Sequence, residues 1–440
     1  MKKVSGMLKS VYMSIGRQGY SPGRYVHIPY CVELPVENGV LLYNVLTREI
    51  ILLSQAEYTS WSTGAADGEL KQYLVEHWFL IPDGIDARSL CYMFWHSHKA
   101  RFGGKPGKIE LCTILTTTEC NARCPYCYEA GCQKRTMPEA TALDVADYIT
   151  SHCNPDHVHL KWFGGEPLCN PAVIDAICRS LRERDVNYDC SMVTNGYLLN
   201  QHEAEKLTGL WHLNRVQVTL DGTEDTYNQV KDITSEGSAF KRVLDNMEYL
   251  LKQGIRVDVR LNLSKENHED LLVLSDMLKE RFGAYTEYLS VYSKPLFEGE
   301  SFLLTDTERD NLYDQYMMLE KHLRETGLHS RQGVPKIKHC QCMADDGKSV
   351  VILPGGELGL CEHHTDDEYI GTIYSDDQDE KIIRSWNERA DEQDECSECF
   401  YYPACLKLKK CPGKTPCNDA QRRYLKWKAQ AAMKAAYERR

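Results

Sequence analysis

The sequence predicts an α/β protein built on a partial (β/α)6 barrel, with a small α+β region ahead of it and a cysteine-rich region behind. Three observations carry that prediction. Strand-like and helix-like segments alternate without interruption from Ile109 to Tyr292, the pattern of parallel strands with helices packed outside. Polar or glycine-rich loops follow the strands rather than precede them. Eight cysteines crowd the stretch from Cys340 to Cys417, where little apolar periodicity is left to build a core.

At 440 residues, 42% of them hydrophobic, the chain has material for two or three domains. The expected divisions are 1–100, 101–330 and 331–440. The first holds short β-like runs, "YVHIPY", "GVLLYNV" and "EIILL", then helices near Gln55–Trp61 and Glu69–His77, and ends in a linker near "FWHSHKARFGGKPGK". The second holds six strand candidates, "KIELCTILT", "HVHLKWF", "YDCSMVT", "RVQVTL", "IRVDVRLNL" and "YTEYLSVY". Helices fall between them near Glu139–His152, Ala172–Arg184, Gln201–Trp211, Ala239–Gln253 and Glu269–Phe282, with another near Asp306–Thr326. Six units are too few for a closed eight-unit barrel. The basic tail Arg422–Arg440 reads as a solvated terminal helix.

The formal net charge of −12 argues against a nucleic-acid partner, whose phosphates call for surplus Lys and Arg. No apolar run approaches the roughly 18–20 residues of a membrane span, and no export signal follows the basic start. A cytoplasmic protein with no membrane partner is expected. In that setting nineteen cysteines suit metal better than a disulfide framework. Six of them, Cys31, Cys91, Cys153, Cys169, Cys178 and Cys190, stand alone in apolar patterns and read as small buried hydrophobes.

The loops after the strands carry "TTECNARCPYCYE", "GGEP", "TNG" and "LDGTED", with Arg260 and Asn262 at a further strand end. In parallel α/β folds ligands collect at the C-terminal ends of the strands, so these loops point to one site. Cys120, Cys124 and Cys127 are spaced C-x3-C-x2-C, and soft thiolates in that number suit iron–sulfur or zinc. A structural zinc site wants a fourth Cys or His close by, and Cys132 is the near candidate. If the group is a 4Fe–4S cluster, three thiolates leave one iron open to a small molecule.

C-x3-C-x-aromatic-C, with Tyr126 as the aromatic, followed by "GGEP" and "TNG" after the next two strands, resembles the radical S-adenosylmethionine (radical SAM) enzymes over about Lys108–Tyr292. The resemblance implies a 4Fe–4S cluster on Cys120, Cys124 and Cys127 whose open iron chelates S-adenosylmethionine. It implies reductive cleavage to a 5′-deoxyadenosyl radical, the cofactor carrying the difficult chemistry. By the same resemblance Tyr126 sits beside the adenine, and Gly164, Gly165 and Glu166 line the methionine amino group. Thr194, Thr219, Lys231 and Arg260 complete the cofactor contacts. Lys231 stands where the family commonly has arginine, supplying a charge without a bidentate fork.

The C-terminal cysteines, C-x18-C followed by C-x2-C-x5-C, resemble the SPASM extension of peptide-modifying radical SAM enzymes. That resemblance implies two auxiliary 4Fe–4S clusters, one on Cys340, Cys342, Cys361 and Cys411, the other on Cys396, Cys399, Cys405 and Cys417. The family continues with C-x3-C, where this chain has Lys409 and then Cys411. A pair of zinc knuckles is the alternative. Glu362, after Cys361, occupies the position of the aspartate that acts as base in sulfatase-maturating relatives.

The first hundred residues resemble the domain with which peptide maturases capture a precursor peptide as an added edge strand; a stabilising cap is the plainer reading. The expected activity is oxidative crosslinking of a ribosomally made precursor peptide, through a thioether or a carbon–carbon or carbon–oxygen bond. An external donor such as flavodoxin or ferredoxin would supply the electron. The alternatives are a formylglycine-type oxidase and a noncatalytic iron–sulfur scaffold, which would have no use for the SAM-binding loops.

Overall fold

Local patterning and long-range pairing together set the architecture. The computed structural model describes residues 1–5, 17–102, 108–199, 205–235, 237–296, 304–329, 333–338, 340–363, 368–411 and 417–439. In chain order the first part comprises β1 (Lys2–Ser5), β2 (Tyr25–His27), β3 (Cys31–Val36), β4 (Gly39–Asn44) and β5 (Glu49–Leu53). There follow α1 (Gln55–Ser62), α2 (Gly68–Glu76), β6 (Leu80–Pro82) and α3 (Ala87–Phe102).

The expected three-stranded sheet is corrected. The strands order as β1-β5-β4-β3, while β2 leaves that sheet and pairs antiparallel with β6. The partners of β1 and β2 lie some fifty residues away in sequence, so nothing local announced them. Pro35 is tolerated because β3 is an edge strand, where a missing N–H costs no ladder bond. The expected linker is partly a helix, α3; residues 103–107 lie outside the described residues.

Glu49, fully buried in β5, joins this sheet to α2. Its carboxylate accepts from the Tyr73 hydroxyl at 2.6 Å, lies 2.6 Å from His77 Nδ1, and has Lys3 Nζ at 3.2 Å. Burial alone would raise its pKa, but the bonds from His77 and Tyr73 prevail and hold it at about 2, below the ordinary 4.5. A depressed folded-state pKa stabilises above the unfolded value and loses that contribution as pH falls through the folded one. Glu49 is therefore expected to contribute about 3 kcal/mol at neutral pH, fading between pH 4.5 and 2. Melting the full chain beside Glu49→Gln at about pH 6 and about pH 3 should show the gap between them narrowing on acidification. A gap independent of pH would refute the assignment.

The central part runs β7 (Leu111–Thr117), α4 (Glu139–His152), β8 (Val158–Gly164), α5 (Pro171–Glu183), β9 (Tyr188–Thr194) and β10 (Leu213–Leu220). It continues α6 (Glu224–Lys231), α7 (Ala239–Lys252), β11 (Arg256–Leu263), α8 (His268–Phe282), β12 (Leu289–Pro295) and α9 (Asp306–Thr326). Its six strands are parallel and adjacent in chain order. This is the open, partial barrel that the alternation predicts. Two helices match the expectation to the residue, α4 and α9. The second is delimited by a Thr305–Glu308 capping box and by Gly327 at φ +75°. In the expected helix Gln201–Trp211, residues 201–204 lie outside the described residues and Lys206–Leu210 form a π turn. Helix α6 was not expected.

Outward side chains of the strands, such as Val216, Val218, Val257, Val259 and Leu261, are buried beneath the helices. Inward ones are polar: His159, Lys161, Asp189, Ser191, Arg215, Gln217 and Asp258 line a cavity of about 570 Å³. A closed eight-stranded barrel fills its interior with branched apolar side chains; this one keeps a hydrogen-bonding lumen.

The barrel does not close. The outer side of β7 pairs in parallel with β13 (Ser349–Ile352), which continues antiparallel into β14 (Glu357–Gly359) and β15 (Gly371–Thr372). The cysteine-rich region thus extends the main sheet, which its thin periodicity did not suggest. It ends in α10 (Glu380–Trp386) and α11 (Asp419–Glu438). The latter is not simply solvated, since Tyr424, Ala429 and Met433 are buried, two of them against the N-terminal sheet. Of the six cysteines read as buried, Cys91, Cys153, Cys178 and Cys190 are; Cys31 is half-buried and Cys169 exposed. No helix among the described residues is long and apolar enough to cross a membrane.

Candidate active site

The cysteine loop leaves the C-terminal end of β7 and is tied down from three sides. Arg123 N donates to the Lys231 carbonyl at 2.8 Å, closing the loop against α6. Cys127 N donates to the Cys124 carbonyl at 3.2 Å, so these two thiols sit one tight turn apart. Near Cys120, Ala122 N lies 3.4 Å and Asn195 Nδ2 4.0 Å from Sγ, donors suited to a thiolate. Cys120 is exposed while Cys124 and Cys127 are half-buried. Cys132 is exposed, with Sγ 4.0 Å from the Tyr128 carbonyl.

The "GGEP" turn lies directly against this loop. Gly165 N donates to Thr117 O at 3.0 Å and Glu166 N to Glu119 O at 2.8 Å. A Cβ on Gly165 would stand 2.4 Å from the Glu119 carbonyl oxygen, and one on Gly164, at φ +115°, 2.2 Å from that of Thr117. Any side chain here would push the cysteine loop outward, which is why glycine is required. Glu166 is fully buried. Its Oε1 accepts from Thr194 Oγ1 at 2.8 Å and Leu168 N at 3.1 Å, its Oε2 from Asn195 N at 2.8 Å. Burial pushes this carboxyl up to about 6 despite those bonds. The geometry makes Glu166 a brace between the second and third loops, carrying Asn195 toward Cys120.

Lys231 and Arg260 belong to one chain of polar groups beneath the cysteine loop. Arg260 Nε donates to Asn262 Oδ1 at 2.9 Å, and Asn262 Nδ2 to Asp221 Oδ1 at 3.1 Å. Asp221 Oδ2 lies 3.1 Å from Lys231 Nζ, which also donates to the Tyr126 hydroxyl at 2.9 Å. Both charges are almost fully buried, 4% and 2% exposed. Burial would lower the lysine pKa, but Asp221, then Tyr126 and Cys124, hold it well above the ordinary value. Lys231 therefore fixes Tyr126 rather than standing free. Thr219 is half-buried on the inward face of β10, beside Arg260 of β11.

Glu362 reaches the barrel from the C-terminal region. Its Oε2 pairs with Lys161 Nζ of β8 at 2.5 Å, and its carbonyl accepts from the Tyr128 hydroxyl at 3.3 Å. The Tyr128 ring packs on His363 with centroids 4.0 Å apart; His364 lies outside the described residues. The sequence reading passed over Tyr128, Lys161, Asn195 and Asp221. Asn195 and Asp221 stand inside the "TNG" and "LDGTED" motifs, whereas nothing local marked Lys161.

The remaining cysteines fall into two neighbourhoods. Cys361 has Cys342 and Cys411 as electrostatic neighbours, and Cys340 has Cys342. Cys399 has Cys396, Cys405 and Cys417. Cys361 and Cys411 pack by Trp386 and Leu408, while Cys396 and Cys399 pack against the N-terminal part near Tyr30. Among the described residues no three His, Cys, Asp or Glu converge as ligands of a single metal ion.

Residues 114–278 match the family model described as "Radical SAM superfamily". A GTP 3′,8-cyclase of Clostridium perfringens (strain SM101 / Type A) is 23% identical over 277 residues, spanning 58% of this chain and 81% of the relative. The structure described as native anSMEcpe with bound AdoMet superposes with a TM-score of 0.57 at 14% identity, over 75% of this chain and 100% of its own. Streptococcus suis SuiB bound to precursor peptide SuiA superposes at 0.53 and 12%, over 87% and 94%. The superfamily uses S-adenosylmethionine and a 4Fe–4S cluster. The residues here fit both: three thiols share one loop, Asn195 points a donor at the first, and the two glycines keep the adjoining surface free of side chains.

Proposed function

We propose that this chain, an enzyme built on a radical SAM domain, modifies a ribosomally made peptide by removing hydrogen from one of its residues and closing an oxidative crosslink. When bound, the cluster and S-adenosylmethionine supply a one-electron route for taking hydrogen from unactivated carbon. Cys120, Cys124 and Cys127 would hold the cluster. Tyr126, fixed by Lys231, would border the adenine, and the Gly164 and Gly165 backbone would receive the ammonium. Glu166 and Thr194 would hold that surface in place, and Thr219 and Arg260 would face the rest of the cofactor.

The observation that carries the peptide reading is the placement of Glu362. It follows Cys361, yet its carboxylate is held inside the barrel by Lys161, so the C-terminal region brings a proton acceptor to the lumen. On this reading residues 331–440 carry two auxiliary clusters, on Cys340, Cys342, Cys361 and Cys411 and on Cys396, Cys399, Cys405 and Cys417. Residues 1–100 would bind the leader along a sheet edge, residues 101–330 would run the reaction, and flavodoxin or ferredoxin would deliver electrons. That SuiB, described as bound to a precursor peptide, superposes over 87% of this chain supports a peptide substrate.

The test is anoxic reconstitution with dithionite, S-adenosylmethionine and a short precursor encoded beside the gene. Formation of 5′-deoxyadenosine together with a two-hydrogen mass loss in the peptide is expected. Hydrogen exchange should show residues 31–53 protected by the leader. No added protection there would return the N-terminal region to a cap, and no mass change would leave the peptide reading without support.

A further inference from the structure

Where the barrel fails to close, positive charges outnumber their one acidic neighbour, Glu320. Lys294 lies near the end of β12, Arg324 in the last turn of α9 and Lys428 midway along α11, with Lys338 on the strand-free segment between. Lys428 has Lys294, Arg324 and Lys338 as like-charged neighbours and Glu320 as the opposing one. Lys294 adds Arg260 to the group. Glu320 is already committed: Ser293 donates through N at 3.1 Å and Oγ at 2.7 Å, and His329 Nε2 lies 2.7 Å away.

Among the described residues these cations form no ion pair. Nε and Nη2 of Arg324 are buried and meet no acceptor among the described residues. Its guanidinium lies over the Trp427 ring at 5.5 Å, and Lys428 Nζ over Tyr424 at 5.6 Å. Burial pushes the Lys428 ammonium down to about 8. Desolvated charge is costly unless paired; Arg324, Lys338 and Lys428 are half-buried and Lys294 is exposed, and a chain with 64 Asp and Glu against 52 Lys and Arg had ample acid to place here.

We propose that this cluster is a carboxylate-binding site that receives an acidic side chain of the peptide substrate. The occupant rests on the peptide reading above; the anion site rests on the unpaired cations alone. Lys294 is paired in register with Asn262, whose side chain bonds both Arg260 and Asp221, so the site adjoins the polar chain beneath the cysteine loop. An acid held here would sit a few residues from the reacting one. Lysines suit this task, because a point charge on a flexible stem accepts a carboxylate without fixing its orientation.

The test uses the full chain, anoxically reconstituted, without S-adenosylmethionine or reductant. Binding of fluorescein-labelled hexaglutamate and hexaglutamine is followed by anisotropy. Hexaglutamate should bind at least about tenfold more tightly, more weakly as salt rises, and lose that margin in Lys428→Gln and Lys294→Gln. Lys428→Met should also raise the melting temperature of the unliganded protein while abolishing capture, since it removes a half-buried charge that forms no ion pair among the described residues. Equal binding of the two peptides, variants that keep wild-type affinity, or a lowered melting temperature in Lys428→Met would overturn the site. Inorganic phosphate that displaces hexaglutamate at equal or lower concentration would overturn the peptide as occupant. Because no turnover is read, failure here leaves the radical reading standing, and failure of turnover leaves this site standing.

Discussion

Cys124→Ala is expected to abolish 5′-deoxyadenosine formation, a loss of at least about a thousandfold, because two thiolates cannot hold a cluster against dissociation and exchange. Cys124 is the middle thiol of the loop and shares a turn with Cys127. Cys132, five residues beyond Cys127, and Cys169, in the turn after "GGEP", are both exposed. The measurements are iron and sulfide per chain, the brown absorbance, and 5′-deoxyadenosine by chromatography. Cys178→Ala, in the barrel core, is the control: it should cost stability and leave cluster loading intact. Turnover by Cys124→Ala equal to that of the wild type would defeat the assignment of the loop.

Lys231→Met should be the most destabilising single substitution near the site, at about 3–5 kcal/mol, since it strands the buried Asp221 carboxylate. Asn262 would remain as a donor to Asp221 Oδ1, which is too little for a full charge that is 2% exposed. Removing both charges, as in Lys231→Met with Asp221→Asn, should recover much of the loss, because the burial penalty disappears with the pair. Urea midpoints of the wild type, both single variants and the double variant would show this. A double variant no more stable than Lys231→Met would mean that packing of the lysine stem, rather than the stranded charge, is at stake. Weakened S-adenosylmethionine binding should accompany the single variant, because Tyr126 loses its donor.

Much of the barrel was legible because its signals are local. The inward–outward alternation of "YDCSMVT" fixes a strand by itself, and the Thr305–Glu308 box with Gly327 fixes both ends of α9. The glycines of "GGEP" announced a close approach, and the Thr117 and Glu119 carbonyls are what they approach. What stayed hidden depends on partners far along the chain. Lys2–Ser5 becomes a strand only because Glu49–Leu53 offers an edge, and Ser349–Ile352 only because β7 does. The partners of Lys231 stayed hidden for a similar reason. The resemblance implied a cofactor contact through its charge, and only the fold shows Asp221 and Tyr126 bonded to it. The polar lumen was legible residue by residue, yet its reach to Glu362 across Lys161 was not, since 201 positions separate them.

The pairing of β7 with β13 also orders events during synthesis. Leu111 finds its neighbour Ser349 only after most of the chain has emerged, and contacts of such long range form late. Until then the strand that launches the cysteine loop has a bare flank, so the loop gains its full support only after Ser349–Ile352 has been made.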